Sequence, residues 1–242
     1  MLKKTVFTVI GLAALLSLLC SVCASTVLNT ASMENAFAQI PDQDRAFIEE
    51  RYGVSPALYP AYASSLVTFL SGSGEAALLK DASGAEQPAF PDSEGRQNGH
   101  LLEVRSLLSL MVSARYWGGG GALAVLAAVY LFCHFKKRGF PGDAVLNGFA
   151  AAGMILLVLT SALAVWGLID FSSLFVTFHR VAFPGSTLWQ LNREKHLLMA
   201  MMPDAFFLTW AKKLLIALLP ILCIMAMLIV AAVKFRSKKA PK

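Results

Sequence analysis

Charge is scarce in this chain, and the usual signatures of soluble chemistry are scarcer still. Only 15% of the 242 residues are charged, against 57% hydrophobic. A soluble domain of that length buries a core without long uninterrupted apolar runs, so a soluble fold is excluded by pattern. The four cysteines, Cys20, Cys23, Cys133 and Cys223, all lie in or beside apolar runs. That excludes a disulfide framework in the exposed segments. Cys20 and Cys23 have no partner cysteines or histidines at useful spacing, so no metal site and no cofactor are expected. No GxSxG elbow and no nucleotide-binding glycine loop is present in the right context. Ionisable residues are almost missing from the apolar runs, which argues against a substrate or proton path through a membrane. Internal repeats are also missing.

What is present is length of apolar sequence. A helical span needs about 20 apolar residues. Four runs meet that demand: Thr5 to Ala24, Gly119 to Phe135, Leu146 to Ile169 and Leu214 to Val233. The reading is therefore an all-α integral membrane protein with four transmembrane helices, forming one polytopic domain over 1–242. A small helical extracytoplasmic segment (25–115) joins helices 1 and 2, and an outer interfacial segment (170–211) joins helices 3 and 4. The first run could also be a leader cut after Val22-Cys23-Ala24; its apolar core is longer than a typical leader's, which favours an anchor.

The net charge of +6 is distributed as a topology signal rather than as a nucleic-acid footprint. Lys3 and Lys4 precede the first run, and Lys136, Lys137 and Arg138 follow the second. Lys234, Arg236, Lys238, Lys239 and Lys242 follow the fourth. Between runs one and two, Asp42, Asp44, Glu49, Glu50, Asp92 and Glu94 reverse the balance. Both termini are thereby expected in the cytoplasm of a multi-pass cell-membrane protein. Lys212 and Lys213 oppose this scheme but are outnumbered. Tyr116, Trp117, Trp166 and Trp210 fall near the expected outer span ends, where amphipathic rings prefer to sit.

Within 25–115, Asp42 to Tyr52 is polar and helix-compatible, and Ser55 to Leu70 continues with apolar residues at helical spacing. Residues 71–99 turn to Gly, Ser, Pro and acids and read as a mobile loop. Helical periodicity resumes from His100 to Arg115 through Leu101, Val104, Leu107, Leu108 and Met111. Gly118 to Gly121 read as a flexible helix junction where small residues let backbones approach, or as exposed N–H groups for an oxyanion; the first is favoured. The segment 170–211 carries Phe171, Leu174, Phe175, Phe178, Phe183, Trp189, Phe206 and Phe207 among polar residues. It is too apolar for a free loop and too interrupted for a span, and is expected to lie in the outer interface against membrane lipids.

Four histidines carry the candidate chemistry. His134 reads as an interface residue and His196, among Arg193, Glu194 and Lys195, as a solvated loop residue. His100 and His179 both fall at the expected outer face. Taken singly, each is an ordinary interfacial imidazole; together they would divide the labour of acyl transfer, one as base and one stabilising developing charge. Glu103, at i+3 from His100, either orients its imidazole or is a solvated helix charge. Arg180 suits a phosphate, an oxyanion or a lipid headgroup, the last being the commoner role.

The stretch FVTFHRVAFPGSTLWQL, with MMPDAFF before the last run, resembles a family of four-span Gram-positive membrane proteins that includes the lipoprotein intramolecular transacylases. The shared features are Phe178-His179, the Phe183-Pro184 turn leading to Trp189, and Pro203, Asp204, Phe206 and Phe207. His100, Glu103 and Val104 match a second element, and RYGVSPALYPAYASSLVTFLSG resembles the family's early outer helices. Two departures stand out. Gly185-Ser186-Thr187-Leu188 replaces an Asn-Gly-like turn, and the basic stretch Arg193 to His196 replaces an acidic one.

The resemblance implies an acyltransferase whose substrate is a diacylated lipoprotein. The sn-2 acyl chain would move to the amine of the diacylglyceryl cysteine, giving an N-acyl, S-monoacylglyceryl form. His100 and His179 would be catalytic at the extracytoplasmic face, with Glu103, Arg180, Phe178, Phe183 and Trp189 supporting the site or the acyl chains. The competing readings are another outer-face membrane enzyme, such as a lipid or peptide hydrolase, and a non-enzymatic sensor or scaffold. Oligomeric state is not legible.

Overall fold

The computed structural model describes residues 2–72, 74–81 and 83–239, with side chains for those between 5 and 235. Of the basic residues that orient the chain, Lys242 lies outside the described residues, as do the side chains of Lys3, Lys4, Arg236, Lys238 and Lys239. Four helices are long and apolar enough to cross a membrane: Thr5–Val27, Arg96–Phe135, Gly142–Ile169 and Asp204–Phe235. Each contains one of the apolar runs read from sequence. The helices are longer than those runs because hydropathy marks only the apolar stretch, whereas backbone hydrogen bonding continues into polar residues. The chain divides into two compact units, Met1–Val22 with Met111–Val176 and Leu218–Lys242, and Cys23–Leu110 with Thr177–Ala217.

The first unit is built on helix α1 (Leu2–Val27) as far as Val22, α6 (Gly121–Phe135), α7 (Gly142–Ile169) and α10 (Asp204–Lys239) from Leu218. Its interior is a strip of Leu15, Leu19, Ala152, Leu156, Ile221 and Met225. Small residues let α1 and α7 approach closely. A Cβ built on Gly148 would stand 2.5 Å from the Phe7 carbonyl carbon, and one on Gly11 would meet Ala152 Cβ at 3.0 Å. Close backbone approach of this kind is how helices associate in lipid, where burying apolar surface gives little drive. Large apolar side chains such as Leu123, Val158, Leu159, Val165 and Val230 are exposed instead, the arrangement of helices solvated by acyl chains. The chain is a multi-pass membrane protein.

The helix junction expected at Gly118–Gly121 is not a break. Arg115–Gly120 winds as one π-helical turn between α5 (Arg96–Ala114) and α6, so the helix is continuous. The glycines serve packing: a Cβ on Gly118 would stand 3.0 Å from the Ala13 carbonyl oxygen. The Gly121 N–H donates within the helix to the Trp117 and Gly118 carbonyls, so it is not an oxyanion donor.

The second unit contains α2 (Thr30–Ala38), α3 (Asp42–Tyr52), α4 (Tyr59–Leu70), the hairpin β1 (Leu78–Lys80) and β2 (Glu86–Pro88), and most of α5. It also holds the end of α8 (Phe171–Ala182), the short α9 (Leu197–Ala200) and the start of α10. Asn29 caps α2 by accepting the Ser32 N–H at 2.8 Å, and Gly53 ends α3 in the left-handed region at φ 68°. Phe37, Phe69, Phe206, Met33, Ile40, Ile48, Leu66 and Met201 are fully buried, with Phe37 packed on Phe206 at 5.1 Å between ring centroids.

The loop expected over 71–99 is partly ordered into the antiparallel hairpin, with Leu79 opposite Gln87. Side chains of α5 tie it down. The Arg105 guanidinium donates to the Gly72 and Gly74 carbonyls at 2.6 and 2.7 Å and lies over the Phe69 ring. Ala77, Ala89 and Phe90 are buried beneath. A local reading of Gly, Ser and acids misses this because the anchors come from α5.

Candidate active site

His100 and His179, distant along the chain, are neighbours. Their ring centroids are 5.6 Å apart with the planes at 38°, and both residues are buried. His100 comes from the second turn of α5 and His179 from the last turn of α8. The structure thus brings together the two imidazoles singled out by sequence.

The aromatics named beside them are also in place. Phe183 presents its edge to His100 at 5.3 Å and lies 5.7 Å from His179. Phe178 meets His179 edge-on at 5.3 Å, and Trp189 lies tilted against it at 5.1 Å. Phe183 is buried and Phe178 half-exposed, so the imidazoles pack among aromatic rings.

The turn that leads to Trp189 uses the first residue of the first departure from the family pattern, Gly185. Pro184 and Gly185 form its centre, Gly185 having φ 80°, and the Ser186 N–H closes it on the Phe183 carbonyl at 3.1 Å. Proline followed by a left-handed glycine is the signature of a type II turn. The Ser186 carbonyl then accepts the Trp189 indole N–H at 3.0 Å and fixes the ring.

Glu103 faces His100: its carboxylate Oε2 stands 3.3 Å from Nδ1. Of the two readings left open, orientation of the imidazole is the one the geometry has. Burial holds the His100 imidazole below its ordinary pKa. The Glu103 hydrogen bond and charge oppose that shift, and the adjacent His179 adds to it. His100 lies outside the apolar run 119–135 read from sequence as the span. Neighbouring imidazoles cannot both carry charge cheaply.

Arg180 is exposed and makes no hydrogen bond or ion pair among the described residues, so the structure does not bring it into the site. His196 is a correction. It is buried rather than solvated, and its Nδ1 accepts the Asn192 N–H at 2.9 Å. Its charged sequence neighbours misled because they point outward while the imidazole closes the turn entering α9. Arg193, part of the second departure, pairs with Asp44 at 3.1 Å and stacks over the Phe47 ring. The basic stretch thus has its acid on α3. Among the described residues no three metal-ligating side chains gather into a cluster.

Sequence reasoning missed Gln97. It is fully buried one turn before His100 and holds two remote backbone groups. The only local signal was its place on the His100 face of α5.

Comparison with curated protein sequences gives no match. Among solved structures, the membrane-integral lipoprotein intramolecular transacylase Lit from Bacillus cereus superposes with TM-score 0.63 at 18% identity, covering 98% of each chain. A variant of that protein with one histidine replaced by arginine gives TM-score 0.57 at 17% identity, covering 98% of this chain and 95% of that one. At such identity the likeness establishes a shared fold. The family model described as lipoprotein intramolecular transacylase Lit matches residues 8–207, and the chain therefore belongs to the lipoprotein intramolecular transacylase family.

Proposed function

We propose that this chain moves the sn-2 acyl group of a diacylglyceryl-cysteine lipoprotein to the lipoprotein's own N-terminal amine, using His100 and His179. One observation carries the reading: two buried imidazoles from separate helices, 5.6 Å apart, one of them backed by a carboxylate. The family assignment supplies the substrate class and the reaction type.

The chemistry closes without an enzyme nucleophile. The neutral amine attacks the sn-2 ester carbonyl through a ring of about eight atoms, so orientation supplies much of the rate. His100 takes a proton from the amine. Its Nδ1–H, directed at Glu103, leaves Nε2 as the basic nitrogen. His179 stabilises the tetrahedral oxyanion by donating a hydrogen bond. When the intermediate collapses, the C–O bond to glycerol breaks and the proton passes to the departing sn-2 oxygen. The product is an amide and a free hydroxyl, with total mass unchanged. Phe178, Phe183 and Trp189 hold the acyl chains beside the ester.

The same reading places the site at the outer face of the membrane with both termini in the cytoplasm. Its support is the charge pattern, with basic clusters flanking the spans on one side and acids between runs one and two. Membrane lipids line the entry, and Arg180 contacts their headgroups.

The test is conversion of a purified diacylated lipoprotein by wild-type, His100→Ala and His179→Ala proteins, read by fragmentation mass spectrometry of the N-terminal peptide. Conversion by each variant is expected to fall by about 10²–10⁴-fold with protein level unchanged. The wild-type product should be N-acylated and isobaric with the substrate. Full activity in both variants would defeat the site. A product lighter by one acyl group would replace the acyl shift with a hydrolase, and no change at all would favour a scaffold.

A further inference from the structure

Gln97 is 0% exposed, and no step of the acyl shift uses it. Its carboxamide joins two segments that the chain keeps far apart. Nε2 donates to the Pro91 carbonyl at 2.9 Å, and Oε1 accepts the Leu198 N–H at 2.8 Å. Leu198 stands in the first turn of α9, where a backbone N–H has no partner within its own helix. Gln97 therefore supplies the cap that the α9 sequence does not.

Its neighbours on α5 hold the same stretch of chain. The Arg96 guanidinium donates to the carbonyls of Thr187 and Gln190, which bracket Trp189, the ring packed against His179. A Cβ on Gly99 would stand 2.9 Å from Leu188 Cδ1, so that leucine is seated on the bare backbone of α5. Within about one helical turn, immediately before His100, α5 is fastened three times to residues 187–198.

We infer that Gln97, assisted by Arg96, is a positioning residue for the histidine pair, fixing α5 against the segment that carries Trp189 and so setting the separation of His100 from His179. The inference rests on the catalytic reading of that pair. Only a carboxamide fills the role at this length, because one end must accept and the other must donate. Leucine would leave the buried Leu198 N–H unpaired and free the Pro91 carbonyl, and the helix turn would have to shift to satisfy the N–H. A displacement of about 1 Å between reacting groups is enough to cost about 10²-fold in rate.

The test uses Gln97→Leu and Arg96→Ala in the full-length protein purified in detergent. Three quantities are read: kcat and KM on a diacylated lipoprotein, the thermal midpoint, and the rate at which diethyl pyrocarbonate modifies His100 and His179 without substrate. Gln97→Leu is expected to lose about 10²-fold in kcat with KM changed less than about twofold, and its histidines should become more reactive. Arg96→Ala, at a half-buried position, should lose about tenfold in kcat with a smaller change in thermal midpoint than Gln97→Leu.

Wild-type kcat and unchanged histidine reactivity in the folded variants would overturn the inference. So would a loss of activity in Gln97→Leu that merely tracks the fraction unfolded. Should Gln97→Leu fail to accumulate, Arg96→Ala decides alone. If His100→Ala and His179→Ala keep full activity, the catalytic reading fails first, while the modification rates still judge whether Gln97 holds the two imidazoles.

Discussion

The two compact units obey opposite packing rules. In the unit of Met1–Val22, Met111–Val176 and Leu218–Lys242, many large apolar side chains face outward around a narrow interior strip, and glycine and alanine make the closest contacts. In the unit of Cys23–Leu110 and Thr177–Ala217, the large side chains are inside. Phe37, Phe69 and Phe206 fill the core, and polar side chains tie remote backbone together. The first arrangement suits a solvent as apolar as the helices themselves, in which shape rather than water drives association. The second is ordinary water-driven folding. The His100–His179 pair belongs to the second, where hydrogen bonds tie separate segments together.

The largest effect expected from breaking this contrast is at Gly148. Gly148→Leu places a side chain where even a Cβ would stand 2.5 Å from Phe7 backbone. The unit should fail to assemble, exceeding the about 1–3 kcal/mol usual for overpacking. Detergent-solubilised protein should lose its cooperative thermal transition; a retained transition would refute backbone contact as the organising interaction.

A paired substitution sharpens the comparison. Leu159 and Leu58 are similarly exposed, at 52% and 47%, but belong to different units. Leu159→Lys should cost about 2.5–3.5 kcal/mol, the cost of a charge at a helix centre in lipid. Leu58→Lys should stay within about 0.5 kcal/mol. Unfolding in detergent micelles measures both, and equal costs would erase the proposed difference in solvent.

The smallest effect concerns protons. Because burial holds the folded His100 pKa low, the unfolded chain binds more protons at this residue between that value and about 6.5. Stability from this group is therefore complete above about 6.5 and declines as pH falls through that window. Catalysis follows the same sign. Rate should fall with slope one below about 8, as the substrate amine protonates, and more steeply once His100 does. Glu103→Gln removes the group that raises the His100 pKa, so the second break should move to lower pH, with a plateau rate down about tenfold. A pH-rate profile with an unmoved second break would disconnect Glu103 from His100.

Much of this was legible in the sequence, for reasons that differ by element. The apolar runs located all four membrane-crossing helices because lipid imposes a length and a composition that read locally. His100, Glu103 and His179 were legible because a motif keeps them recognisable, and i+3 spacing on a helix fixes a face. What stayed hidden depends on chain brought from elsewhere. The anchoring of residues 71–99 by Arg105, the burial of His196 and the bridge through Gln97 are all side-chain contacts to backbone, and composition does not encode the partner of a carbonyl. The continuous helix through Gly118–Gly121 escaped because glycine reads as flexibility until a neighbouring helix is seen to need the room.

Glu103 and His100 share one helical rung, and this has a consequence for how substrate enters. A carboxylate drawn from another segment would come apart from its imidazole whenever the two segments parted. Here acid and ring lie on one helix, so the acceptor of the proposed mechanism keeps its carboxylate through any tilt or slide of α5. In the proposed mechanism, the coordinate left for such a motion to change is the gap to His179, 5.6 Å between ring centroids here.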